Sequence, residues 1–227
     1  MTDYIVRSFE DFHETVSNYE YYNTIFRGVS KETHKLIPKI GRTKDYIYDD
    51  IFEYELKIMD LFKKHAVTYL DFQTLNEWEW LSIAQHHGLP TRLLDWTRNP
   101  MVAAYFAINS HTNEDSIIYV LNSESLNSDI NYDYLPSDID EVMLFEPSHI
   151  TNRIISQNGI FTITPEIDKP LNEVLDIEID RIIIKKDFNK PLKLILNTYG
   201  INKATLFPGL DGIAEYLDWL TLKNKEV

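Results

Sequence analysis

The sequence predicts an α+β fold, a single domain of mixed, mainly antiparallel strands flanked by helices. Three observations predict it. Apolar positions three and four apart dominate the first half, short apolar or alternating runs of strand length dominate the second, and no linker, internal repeat or low-complexity tract divides the chain. A length of 227 residues suits one good-sized core, and 44% hydrophobic with 13% aromatic residues suits a packed chain rather than a disordered one. Residues 1–227 are therefore read as one domain, helix-rich first and strand-rich second.

Taken in order, Ser8 to Tyr22 reads as a helix with Phe9, Phe12, Val16 and Tyr19 on one side. Thr24 to Val29, TIFRGV, is a compact run that suits a buried strand, and Arg27 within it needs a partner because an unpaired charge there is costly. Asp49 to His65 is the clearest helix. Its Ile51, Tyr54, Ile58 and Leu61 form one apolar face, with Phe52, Met59 and Phe62 beside them, and packing is its expected role. Asn76 caps a second helix running to His87, with Trp80, Leu81 and Ala84 as its apolar face and Gly88 where a helix commonly stops. Leu89-Pro90 makes a turn, and Arg92 to Thr97 reads as a short strand. Asn99-Pro100 then starts a helix, with the Asn side chain available to backbone N–H groups and Pro where its missing N–H costs nothing. A strand, a polar corner and a helix N-terminus in succession favour an anion nearby.

In the second half, Ser116 to Leu121, Val142 to Phe145, Ile160 to Thr164 and Arg181 to Lys186 are strand candidates, and the polar segment Asn122 to Asp140 is long enough to cover something. Arg153 and Gln157, four apart, share a face whether their segment is helix or strand. Two helices close the chain, Asn189 to Tyr199 and Gly212 to Leu222, and Ile213, Tyr216, Leu217 and Leu220 are expected in the core.

Charge and composition exclude several functions. With 36 acidic against 22 basic residues the formal charge is −14, so an extended nucleic-acid surface is not expected, while a local arginine pocket remains open. The absence of cysteine removes disulfides, thiolate zinc sites and cysteine nucleophiles. Adjacent His86 and His87 diverge by about 100° on a helix and do not form an i, i+4 metal pair. No run approaches the ~20 apolar residues of a membrane helix, and MTDYIVRSFEDF lacks the pattern of a signal peptide, so no membrane partner and a cytoplasmic location are expected. There is no GxSxG, GxxxxGK[ST], HExxH or GxGxxG.

What remains is a concentration of unusual side chains in Gln85 to Ala107, QHHGLPTRLLDWTRNPMVAAYFA, together with Arg27, Arg92, Arg98 and Arg153 at strand ends or turns. Guanidinium forks match phosphate or carboxylate, although Arg92 and Arg98 serve equally well as partners of local acids such as Asp95.

Phe26-Arg27-Gly28, Gln85 to Thr97 and Ala103 to Ala107 resemble the FRG domain, named for its (F/Y)RG motif, and Arg153, Gln157, Gly159 and Phe161 with Phe207 to Gly212 resemble later parts of that pattern, so the resemblance spans nearly the whole chain. A more distant resemblance is to ADP-ribosyltransferases of the Arg, Ser-Thr-Ser, Glu type, which implies an ADP-ribosyltransferase-like fold and NAD or another nucleotide as ligand, with an unknown macromolecular target. On that resemblance Arg27 grips phosphate and Thr97 and Gln157 take the second and third motif positions, but Gly159 stands where a catalytic glutamate is expected. Asp95, Glu146 or Asp211 would then supply the carboxylate, and Asp95 is counted with Arg27, Thr97 and Gln157 as catalytic. Gly28, His86, Arg92, Trp96 and Arg153 are expected at the cofactor, with Trp96 or a tyrosine stacking on a ring and His86 orienting Asp95 or Arg92. The competing expectation is a non-catalytic binding or interaction module in which the same residues form a structural polar network.

Overall fold

In the computed structural model, residues 2–69, 75–109, 113–147, 152–175 and 177–222 are described. Among these, seven strands form one sheet: β1 (Asp3–Val6), β2 (Thr24–Val29), β3 (Leu93–Thr97), β4 (Ser116–Asn122), β5 (Met143–Phe145), β6 (Gly159–Ile163) and β7 (Ile179–Ile184), in the order β1-β7-β4-β2-β3-β6-β5. Only the outer pair β1–β7 is parallel, and every other neighbouring pair is antiparallel. The α+β expectation holds in this form, and β1, which the sequence reading passed over, is the addition.

The sheet has one weak seam. β2 pairs with β4 along its whole length, from Thr24 opposite Asn122 to Val29 opposite Ile117, and β3 pairs with β6 from Leu93 opposite Ile163 to Thr97 opposite Gly159. Between β2 and β3 the register consists of Phe26 opposite Thr97 alone. Beyond that pair the two strands part.

Because side chains alternate along a strand, Phe26 and Gly28 share a face with Leu93, Asp95 and Thr97, whereas Ile25 and Arg27 lie on the other with Leu94 and Trp96. Helix α5 (Pro100–Ile108) covers the first face beside β2. There Phe26, Ala103, Ala107, Ile118 and Ile182 meet Leu192 and Leu196 of α8 (Lys186–Thr198) in one core. Gly28 is fixed by this packing: a Cβ on it would stand 1.9 Å from the Ala103 carbonyl oxygen and 2.6 Å from the Ala107 nitrogen. Beside β3, α4 (Glu77–His86) sets Trp78 and Leu81 against Leu93, Phe145 and Phe161. Asn76 caps it in a reciprocal box with Glu79, and Gly88 takes the positive φ of 82° that follows it. The buried tryptophan of α4 is Trp78, not the expected Trp80, and the segment 122–140 covers it, the Tyr134 carbonyl accepting the Trp78 indole N–H at 3.0 Å. The opposite face of the sheet packs Ile25, Leu94, Trp96, Leu121 and Ile160 beneath Leu36 and Leu171.

Several expectations are corrected. Helix α1 (Phe9–Val16) is shorter than Ser8 to Tyr22, with Ser8 as its cap. On α3 (Ile51–Ala66) the predicted apolar face packs only in part: Ile51, Tyr54 and Ile58 are half-buried and Met59 packs against the Trp78 cluster, whereas Phe52 and Leu61 are exposed and the buried side chain of this helix is Glu55. The reason lies below it, where Arg92 needs a counter-ion in the interior. On α10 (Leu210–Thr221), Ile213, Leu217 and Leu220 are exposed rather than core. That helix docks through Gly212, whose missing side chain admits the Phe207 carbonyl oxygen at 1.9 Å from the Cβ position. No described helix is long and apolar enough to cross a membrane.

Candidate functional site

Where β2 and β3 part, a cavity of about 630 Å³ opens, within the range of small-molecule sites. Its walls come from β2 (Phe26 to Val29), the segment with His34 and α2 (Lys39–Arg42), the end of α4 with Gln85 to Gly88, β3, the α5 residues Ala103 and Phe106, and Arg153 and Gln157 on or just after α6 (Asn152–Ser156). Three sequence stretches, residues 26–42, 85–106 and 153–157, thus meet at one place. Four basic side chains, Arg27, Lys39, Arg42 and Arg153, line it against one carboxylate, Asp95. In a chain of formal charge −14 this is a local inversion of sign.

Arg27 sits at the parting of the strands. Its Nη1 donates to the Asp95 carbonyl oxygen at 2.5 Å and approaches Asp95 Oδ2 at 3.4 Å. In a continued ladder Gly28 would stand opposite Asp95, two residues beyond Phe26 and Thr97, so the guanidinium takes over a carbonyl that the missing strand pair leaves without a backbone donor. Its Nε is buried with no hydrogen-bond partner, a donor that a bound anion would satisfy.

Asp95 is the exposed residue of an otherwise buried strand, its side chain 60% accessible. Gln85 holds it, donating from Nε2 to Asp95 Oδ1 at 2.9 Å. Gln85, which the sequence reading did not assign to this role, is therefore an orienting residue of Asp95. His86 lines the cavity one residue on, and its backbone oxygen accepts from Arg153 Nη1 at 3.3 Å. Burial, then the positive charge of Arg153, pushes the His86 imidazole down to about 4, so it is neutral at pH 7 and can offer both a donor and an acceptor. Burial lowers Arg42 and Arg153 as well, with Arg27 adding like-charge repulsion to Arg42. A cluster of cations held partly out of water and pressed together favours an anion between them.

Thr97 has its hydroxyl committed: it donates to the Gln157 carbonyl oxygen at 2.7 Å and accepts from the Asn99 backbone at 3.0 Å, tying β3 to the end of α6 and to the start of α5. Gln157 donates from its side chain to the Leu206 carbonyl at 2.9 Å. The α5 N-terminus is closed by Asn99, which accepts from the Met101 N–H at 2.9 Å.

Two expected ligand residues belong to the interior instead. Arg92 is 1% accessible and is absent from the cavity wall; its Nε and Nη2 grip Glu55 at 2.7 and 2.5 Å, a bidentate pair. Trp96 borders the cavity but is 3% accessible, its indole N–H donated to Thr162 Oγ1 at 2.9 Å inside the core, which leaves little ring surface for stacking. No tyrosine among the described residues lines the cavity; of its aromatic residues Phe26, Trp96 and Phe106, the last packs edge-on to Phe207 beneath the Arg153 guanidinium. Of the alternative acids, Glu146 pairs with Arg98 at 3.1 Å, and neither it nor Asp211 borders the cavity. Lys39 and Arg42 were missed because they stand in LIPKIGRT, a segment with no periodicity or motif, and only the fold brings them opposite Arg27.

No curated protein and no solved structure matches the chain. A family-model match covers less than the resemblance spans: it ends before Arg153, Gln157 and the Phe207 to Gly212 segment. Residues 22–116, which hold Arg27, Lys39, Arg42, Gln85 and Asp95 with the parted strands β2 and β3, match the model of the FRG domain.

Proposed function

We propose that the cleft between β2 and β3 binds a nucleotide diphosphate of the NAD type. The observation that carries the reading is the cationic wall of Arg27, Lys39, Arg42 and Arg153 in a strongly acidic chain, with the Arg27 Nε buried and unpartnered. The residues present suit such a ligand. Guanidinium forks match phosphate oxygens, the cavity volume suits a ligand of this size class, and Phe106 with His34, His86 and His87 offers apolar and ring surface for a base. In this reading Arg27 and Arg42 hold the phosphates, Arg153 closes the far wall, and Asp95 faces the sugar.

NAD would supply a glycosidic bond whose cleavage builds positive charge on the ribose. Asp95 is the acid placed to stabilise that charge and would make the domain an ADP-ribosyltransferase or NAD glycohydrolase acting on an unidentified target. A second reading, a binding module without turnover, is favoured by Gly159: it stands at the position where the transferase resemblance calls for glutamate, a Cβ there would meet Ile154, and the residue does not line the cavity.

Calorimetric titration with NAD, ADP-ribose and pyrophosphate tests the binding, and nicotinamide release with label transfer to lysate proteins separates the two readings. Saturable binding of NAD and ADP-ribose that weakens at least about tenfold in Arg27→Ala is expected, since a charged hydrogen bond contributes ~1.5–3 kcal/mol. An affinity equal in both proteins, or no binding by either, would sink the proposal.

A further inference from the structure

We infer that Gln85 and Thr91 are positioning residues that set the direction of Asp95 in the cleft, an inference that rests on the nucleotide reading for its consequence but not for its geometry. The support is a chain of hydrogen bonds with a fixed polarity. An ionised carboxylate only accepts, so the Gln85 amide must turn Nε2 to Asp95 Oδ1, 2.9 Å away. Its Oε1 then faces Thr91 Oγ1 at 2.5 Å, and the Thr91 hydroxyl must give its proton to it. The Leu93 N–H occupies a lone pair of the same hydroxyl at 3.2 Å. Thr91 is wholly buried, so water does not compete for it.

The polarity therefore runs from the Leu93 backbone through Thr91 and Gln85 to Asp95, without a freely turning link. Asp95 is held at Oδ1 by Gln85, while Oδ2 faces Arg27 at 3.4 Å across the parted strands. Both oxygens keep acceptor capacity toward the cavity, and what they can recognise is a hydrogen-bond donor such as a sugar hydroxyl, not a phosphate. The sugar-bearing part of a ligand should depend on Gln85, and the phosphate part should not.

Three variants test this, the two at Thr91 read in two ways and Gln85→Met by binding alone. Thr91→Val and Gln85→Met break the chain at different links, and Thr91→Ser restores the hydroxyl; Gln85→Met leaves the Thr91–Leu93 bond in place if the valine variant fails to fold. The first readout needs no ligand: the side-chain amide resonances of Gln85 should shift in Thr91→Val and return in Thr91→Ser. The second compares ADP-ribose with pyrophosphate by calorimetry. Thr91→Val and Gln85→Met should weaken ADP-ribose about tenfold, Thr91→Ser should match the parent, and pyrophosphate should bind equally in all. Unmoved Gln85 resonances in Thr91→Val, or equal losses for ADP-ribose and pyrophosphate, overturn the inference. If the parent protein binds neither compound, the nucleotide reading fails, and the resonance shifts alone decide whether the chain fixes Gln85.

Discussion

Arg92, just before β3, and Arg27, beside β3 on β2, each meet a carboxylate, yet in opposite surroundings. Beneath α3, Arg92 and Glu55 are both almost inaccessible and joined by two short hydrogen bonds. In the cleft, Arg27 touches Asp95 at 3.4 Å through one nitrogen, and the Asp95 side chain is 60% accessible. The buried pair is closed to solvent: its charges compensate each other through two hydrogen bonds and tie α3 to the interior, with Arg92 Nη1 left without a partner. The cleft pair is open: it borders the cavity, Asp95 is largely accessible, and Arg27 Nε is likewise unpartnered. An arginine's neighbourhood, rather than its presence in a motif, decides whether it serves the fold or a ligand.

Four outcomes would break or sharpen this contrast. The largest is expected from Arg92→Ala, which strands Glu55 in the interior and should cost ~3–5 kcal/mol in urea unfolding; replacing the pair together, with Arg92→Met and Glu55→Leu, should recover most of that loss. Gly28→Ala comes next. Its new methyl would meet α5 backbone, and a loss of ~1–3 kcal/mol or more is expected from forcing the helix off the sheet. Arg27→Ala should change stability by only ~1 kcal/mol, because the carbonyl it releases lies at a solvent-reached cleft, while ligand affinity falls. A melting temperature that dropped as far as in Arg92→Ala would show the two pairs to be alike.

The smallest outcome concerns pH. The unfolded chain protonates His86 near its ordinary value of 6.5, whereas in the folded chain it stays neutral down to about 4. The unfolded state therefore binds more protons in that window, and stability falls as pH drops through it. His34, also pushed down by burial, acts in the same direction. The effect is trimmed because His86 is half-buried. Melting temperatures at pH 7 and 5 should converge in His86→Gln relative to the parent.

Local chemistry made much of the architecture legible. The caps Asn76 and Asn99, the alternating run at β6 and the apolar runs at β2, β4 and β7 each state their own conformation, and each forms close to where it was expected. β1 escaped because four residues pairing only with the last strand carry no local signal. Helical spacing on α3 and α10 told which residues share a face but not whether anything covers it. In the site, Arg27 and Asp95 were visible as a charge in a strand and an acid in a dense motif. Trp96 misled because sequence cannot say on which side of β3 a ring falls until a partner such as Thr162 is known. Lys39 and Arg42 lacked any signal of their own.

The solitary pairing of Phe26 with Thr97 also bears on how such a pocket can diversify. Width in most sheet-borne sites is quantised by strand spacing, so enlarging the site means re-registering a ladder. Here the gap is spanned by side chains, chiefly Arg27, with α5 clamped to β2 through Gly28 as the rigid backing. Lengthening, shortening or re-angling those side chains alters the aperture without moving a strand, so the shape of the pocket can drift under mutation while the folding core is left untouched.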